Sequence, residues 1–156
     1  MSKIILPVKH RQQQHTADCI AACAAMVLDY LNEPINYDRL LHLLRIAPDF
    51  GAPAPNLRFL EQLGVTVIYK EFGSLDEIRQ HLENHLPCIA FLRTGELPWC
   101  TWDTAHAVVI IGMDDETLLL HDPALDSGST SIQKNVFDLA WLTRDETYAV
   151  IKPKEE

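Results

Sequence analysis

The chain has 156 residues, 47% hydrophobic and 22% charged, which is enough for one well-filled core of ordinary composition. Its net charge is −9 and the acidic residues are scattered rather than blocked, which argues against a nucleic-acid groove and against docking on an anionic membrane. No apolar run reaches the roughly eighteen residues a transmembrane helix needs. The opening M-S-K-I-I-L-P-V-K-H is too short an apolar patch for a signal peptide and has no small-residue cleavage site. The expectation is a single cytoplasmic domain over residues 1–156, with no membrane insertion. Cys19, Cys23, Cys88 and Cys100 are then free thiols by default. Cys19 and Cys23 lie four apart, but no second Cys/His pair matches that spacing, so a structural zinc site is the weaker reading.

In chain order, residues 4–14 read as an extended lead-in to the most apolar stretch, C-I-A-A-C-A-A-M-V-L-D-Y-L from Cys19 to Leu31. Asp29 is its only charge, and a helix apolar nearly all round belongs inside a core. Asp18 stands where a short polar side chain caps the first free N–H groups. Asn32-Glu33-Pro34 ends this helix, and a second runs from Asn36 or Tyr37 through Leu44. After the loop from Gly51 to Pro55, a third helix carries Leu57, Leu60 and Leu63 on one face and closes at Gly64.

The period then changes. Val65 to Tyr69 reads as a strand, and Ser74-Leu75-Asp76-Glu77 as a capping box opening a helix to about Asn84. Cys88 to Leu92 is a short apolar strand. A loop holding Pro98, Trp99 and Trp102 leads to a strand that starts at Ala105 or His106 and runs to Met113. Asp114-Asp115 turns it into Thr117 to His121 in hairpin register, ended by Asp122-Pro123. A short strand at Thr130 to Ile132, a helical turn at Val136 to Trp141 and a strand at Tyr148 to Lys152 complete an α+β pattern, helices first and an antiparallel sheet second.

Three polar residues stand at element ends, where side chains converge on clefts. Cys19 begins the buried helix, where backbone N–H groups and the helix dipole favour thiolate. His106 begins the most apolar strand, and Asp122 follows the strand paired with it. In a hairpin these two emerge at the same open end, so a carboxylate can hold one imidazole nitrogen while the other faces the thiol. Each residue alone has a bland reading: Cys19 as a small core hydrophobe, His106 as a half-buried strand residue, Asp122 as a turn residue before Pro. Together they suit nucleophilic acyl transfer. Gln13, six residues before Cys19 on the lead-in segment, is a candidate oxyanion donor beside the Cys19 backbone N–H. Trp99 and Trp102 are candidates either for the wall of a peptide cleft or for a lid over the core. Cys23 reads as packing and His15 as a loop residue.

In order and spacing, these motifs resemble the papain-like cysteine peptidases that remove double-glycine leaders from bacteriocin precursors, and their stand-alone relatives. Q-Q-H-T-A-D-C-I-A-A-C-A-A-M-V-L looks like the family's oxyanion Gln and nucleophile, here Gln13 and Cys19. H-A-V-V-I-I-G from His106 is similar to its catalytic-His strand, H-D-P-A with Asp122 to its orienting Asp, and S-I-Q-K-N-V-F-D-L-A-W to its closing stretch. The likeness covers about Pro7 to Trp141. Ile20 stands where the family commonly has Gly and would narrow the cleft beside the thiol; Ala107 stands where a bulkier aromatic is common.

The resemblance implies a papain-like α+β fold, with the Cys-bearing core helix packed on the C-terminal sheet. It implies a Cys–His–Asp cysteine peptidase that needs no cofactor. It also implies a peptide or protein substrate, with an export transporter as a potential partner. Two rivals are a non-cleaving peptide-binding module on the same fold, favoured by Ile20, and a Cys–His–Asp amidase or acyl transferase acting on cell-wall or isopeptide bonds.

Overall fold

A computed structural model describes residues 3–126 and 128–155. The extended lead-in contributes a two-residue strand, β1 (Ile4–Ile5), before helix α1 (Cys19–Tyr30). Helix α2 (Tyr37–Leu43) and a 3-10 segment (Ala54–Leu63) follow, then β2 (Thr66–Lys70), α3 (Leu75–Glu83) and β3 (Cys88–Arg93). The second half is β4 (Ala105–Met113), β5 (Thr117–His121), β6 (Thr130–Gln133), α4 (Lys134–Leu142) and β7 (Tyr148–Lys152). The fold is the expected α+β one, with every strand pair antiparallel among the described residues. The sheet runs β2-β7-β3-β4-β5-β6, and β1 adds to the far end of β4.

Helix α1 is buried as its composition requires: every residue from Ile20 to Leu28 is hidden from solvent. It packs against β4 on one side and against α2 and the 3-10 segment on another. Asp18 occupies the N-cap position, but its side chain makes no capping hydrogen bond. It is 2% exposed and accepts instead from the Tyr37 hydroxyl at 3.2 Å, tying α1 to α2. A tertiary partner thus displaces the local one. The Ser74 cap forms as the sequence predicts, accepting from Glu77 N–H at 3.2 Å, and Asn36, one of the two expected helix starts, caps α2 by accepting from Arg39 N–H.

The third predicted helix is a 3-10 segment that begins inside the expected loop, at Ala54. Pro55 in its first turn is compatible with a helix start. Gly64 closes it in the left-handed region, as expected. The helical turn near Val136 is a full helix, α4, from Lys134 to Leu142. Among the described residues, no helix is long and apolar enough to cross a membrane.

β4 is the spine of the sheet. It pairs β3 in continuous register from Cys88↔Ile110 to Arg93↔Ala105. Its pairing with β5 shifts between Ile110 and Gly112, and the freed Ile111 carbonyl accepts from Leu6 N–H at 2.8 Å. β1 lies so close here that a Cβ on Gly112 would come within 2.6 Å of the Ile4 carbonyl oxygen. Gly112→Ala is therefore expected to push β1 off the sheet and cost about 1–3 kcal/mol. Urea unfolding should show the loss, and amide exchange should place it at residues 4–6; an unchanged midpoint would contradict the close approach.

Candidate active site

Cys19 is the first residue of α1, so its backbone N–H has no partner within the helix. Its side chain is half-buried and reduced. Directly across, β4 presents His106, 9% exposed, as its second residue and the first to leave solvent. The β4–β5 pairing sets Val109 opposite His121, so the next residue, Asp122, leaves the sheet beside His106. The His106 Nε2–Asp122 Oδ1 distance is 2.6 Å, and the Cys19 side chain is hydrogen-bonded to the same ring. Three elements far apart in sequence thus deliver a thiol, an imidazole and a carboxylate to one place.

Electrostatics sharpen the arrangement. Burial opposes charge on the His106 ring, but hydrogen bonds to Asp122 and Cys19, with their negative charge, outweigh it and raise the imidazole to about 9. Burial likewise works against the Asp122 carboxylate. Donors from His106, the Ala124 N–H and Trp99 prevail and hold it below its ordinary value. Cys23, one turn further along α1, is fully buried, and desolvation pushes its thiol well up, followed by repulsion from Cys19 and Asp122. It is core, as expected.

Gln13 lies beside this group but is differently engaged. Its backbone N–H donates to the Pro123 carbonyl at 2.8 Å, pinning the lead-in segment to the residue after Asp122. Its side-chain Nε2 donates to the carbonyls of His15 and Thr16, both at 2.9 Å. Its Oε1 is buried without a hydrogen-bond partner among the described residues. His10 was not singled out from the sequence, yet its Nε2 donates to the Asp122 carbonyl at 2.8 Å. His121 Nε2 donates to the Val8 carbonyl at 2.7 Å. Nothing in the H-R-Q-Q-Q run signals these long-range contacts.

A cleft of about 290 Å³ opens over the thiol, lined among others by Ala17, Cys19, Ile20, Phe50, His106 and Arg144. Ile20 is in its wall, as its place beside the thiol suggests. Trp99 and Trp102 are not among the lining residues. Trp102 is 66% exposed in the β3–β4 loop, and Trp99 is half-buried with its indole N–H donating to Asp122 Oδ2 at 2.9 Å. Phe50, 91% exposed, and Arg144 reach the cleft from loops that carry no sequence signal. Gly51 (φ +72°) lets the Phe50 loop close on Ala17, whose carbonyl would be 3.0 Å from a Cβ there. No cluster of three metal-ligating side chains occurs among the described residues.

A thiol at the head of a buried helix, beside an imidazole held by a carboxylate, is an arrangement found in cysteine peptidases, which are hydrolases. The chain belongs to the peptidase C39 family, whose sequence model matches residues 7–155. No curated protein matches it. Its fold is similar to that of a C39-like peptidase from Bacillus anthracis, at a TM-score of 0.82 and 18% identity over 100% of both chains. It is similar to a double-glycine-motif protease from an AMS/PCAT transporter, solved with its leader peptide, at 0.69 and 20% over 99% of this chain and 100% of that one. It is also similar to the peptidase domain of Streptococcus ComA, a bifunctional ABC transporter of a quorum-sensing pathway, at 0.74 and 18% over 94% and 99%.

The His106 ring links stability to pH. A histidine raised in the folded state contributes stability that is complete below its ordinary value of 6.5 and is lost as pH rises through about 9. Comparing urea midpoints of the wild type and His106→Gln, the difference should shrink steadily across that window. A constant difference would mean that His106 is not charged in the folded protein.

Proposed function

We propose that this single domain is a cytoplasmic Cys–His–Asp peptidase that removes a leader peptide after a Gly-Gly type motif. The observation that carries this reading is the hydrogen bonding of Cys19 and Asp122 to one His106 ring, with Cys19 and His106 lining an open cleft. The Cys19 thiolate attacks the scissile carbonyl, and His106 gives its proton to the leaving amine. A thioester remains on Cys19. Water then attacks it, with His106 as base, releasing the acid and restoring the thiol–imidazole pair. Asp122 holds the ring and stabilises its charged form without itself taking the proton. A helix N-terminus stabilises nearby negative charge by about 0.3–1 kcal/mol. A hydrogen bond to a charged partner contributes about 1.5–3 kcal/mol, so contact with His106 outweighs the helix end in stabilising negative charge at this place.

The oxyanion falls to the free Cys19 backbone N–H and to Gln13. Because both Nε2 hydrogens already have carbonyl acceptors, Gln13 exchanges one of them for the developing charge. Such a donor serves the transition state rather than the bound substrate. Ile20 in the cleft wall narrows the approach to the thiol, which suits substrate residues without side chains. The likeness to a double-glycine-motif protease, and to a peptidase domain of an ABC transporter, supports a leader substrate and an export transporter as partner.

Incubation with synthetic peptides carrying Gly-Gly or Ala-Ala before the same downstream sequence, read by mass spectrometry, tests the assignment. Cleavage after Gly-Gly that disappears in Cys19→Ala is expected; cleavage only of isopeptide or cell-wall amides would assign an amidase instead. Iodoacetamide should label Cys19 faster than Cys23, Cys88 or Cys100, and preferential labelling elsewhere would remove the nucleophile.

The three glutamines discriminate further. Gln13→Ala should lower kcat by about 10²–10³. Gln12→Ala and Gln14→Ala should be near neutral, since both neighbours are exposed and Gln13 is half-buried. An active enzyme insensitive at Gln13 would have its oxyanion site elsewhere.

A further inference from the structure

We infer that Trp99 is a positioning residue of the proposed active site, holding the Asp122 carboxylate in the rotation that presents Oδ1 to His106. The inference rests on the peptidase reading above and adds to it a residue that does not line the cleft.

Asp122 is 2% exposed, so both of its oxygens must find donors within the protein. Oδ1 receives His106 Nε2 at 2.6 Å and the Ala124 N–H at 2.9 Å. Two donors on one oxygen leave the carboxylate free to swing Oδ2 about them. The Trp99 indole N–H, 2.9 Å from Oδ2, removes that freedom. Indole nitrogen is a donor only, so this contact always favours the ionised carboxylate and never competes for its proton.

The loop that carries Trp99 is built to hold it still. Thr94 N–H donates to the Thr104 carbonyl at 2.9 Å, and Thr94 Oγ1 donates to the Trp102 carbonyl at 2.6 Å. Thr104 N–H returns to Thr94 Oγ1 at 3.0 Å, closing the neck of the loop. Asp103 accepts from Gly95 N–H and from Arg93 Nε, and Leu97, 3% exposed, anchors the crown in the core. The indole therefore meets the carboxylate from a braced support. The titratable groups around the pair are Cys19 and Cys23 on α1, His10 on the lead-in segment and His121 at the end of β5, with Arg144 across the cleft.

The test follows the His106 ring by nitrogen-detected NMR titration, its signal identified by its loss in His106→Gln. Trp99→Phe keeps a ring and removes the donor. The His106 midpoint should fall by about one unit or more in Trp99→Phe, and at least as far in Asp122→Asn. Adding Trp99→Phe to Asp122→Asn should change nothing further, because the indole acts only through the carboxylate. A ring that merely fills space predicts an unmoved midpoint in Trp99→Phe, and that result overturns the inference.

A second measurement needs no substitution at Trp99. In Asp122→Asn, the Trp99 indole N–H resonance should move upfield and exchange faster with solvent; an unmoved signal also overturns the inference. Iodoacetamide mapping of the wild-type protein separates the two levels of failure. Fast labelling of Cys19 with an unmoved His106 midpoint defeats the Trp99 role alone, whereas a slow Cys19 defeats the peptidase reading and this inference with it.

Discussion

The close packing of α1 on β4 is the constraint on which the site depends. An α-helix approaches a sheet closely only where its contact residues are small, and α1 supplies Ala21, Ala22, Ala24 and Ala25, all at most 1% exposed. The same helix that fills the core also sets its first residue against the first residues of β4. Cys19 and His106 therefore meet because two buried elements cannot be separated or slid without opening voids. The chemistry is placed by apolar residues that take no part in it.

Asp122 needs a different kind of support, because it lies beyond the sheet. Four segments converge on it: β4 through His106, the turn through Ala124, the β3–β4 loop through Trp99, and the lead-in strand through His10. Gln13 N–H on the Pro123 carbonyl extends the lead-in contact by one residue. Burying a carboxylate is costly unless its oxygens are satisfied, and the donors from His106, Ala124 and Trp99 each offset part of that cost, while His10 meets the backbone carbonyl. The ionised state of Asp122 is thus a property of the surrounding loops as much as of the residue itself.

The elements with strong local patterns were legible in the sequence. An all-round apolar run could only be a core helix, the Ser74–Glu77 box fixed the start of α3, and the β4–β5 hairpin with its Asp114 turn followed from alternation and turn chemistry. That hairpin made the meeting of His106 and Asp122 readable, since register alone carries both to one end. What escaped was decided by partners distant in the chain. Asp18 satisfies a cap preference on paper but meets Tyr37, nineteen residues on. Trp99 looked equally suited to a cleft wall or a lid, because nothing local says that a carboxylate twenty-three residues later will accept its N–H. The cleft positions of Phe50 and Arg144 were invisible for the same reason.

The two hydrogen bonds of the Gln13 amide tie the lead-in segment to the turn that precedes α1. Donation to the His15 and Thr16 carbonyls organises the turn that delivers the chain to Cys19. That turn also carries the His15 carbonyl to which Asp18 N–H donates at 3.1 Å, the last contact before the helix begins. An oxyanion is a stronger acceptor than a neutral carbonyl, since bonds to ionised groups are roughly twice as strong. In the proposed mechanism, a donor resting on a carbonyl is therefore held near its working place and yields when charge develops. The resting bonds keep the half-buried amide ordered without leaving its donors unpaired. On the proposed mechanism, the cost of releasing one of them is met in the transition state, where a charge-assisted bond replaces it.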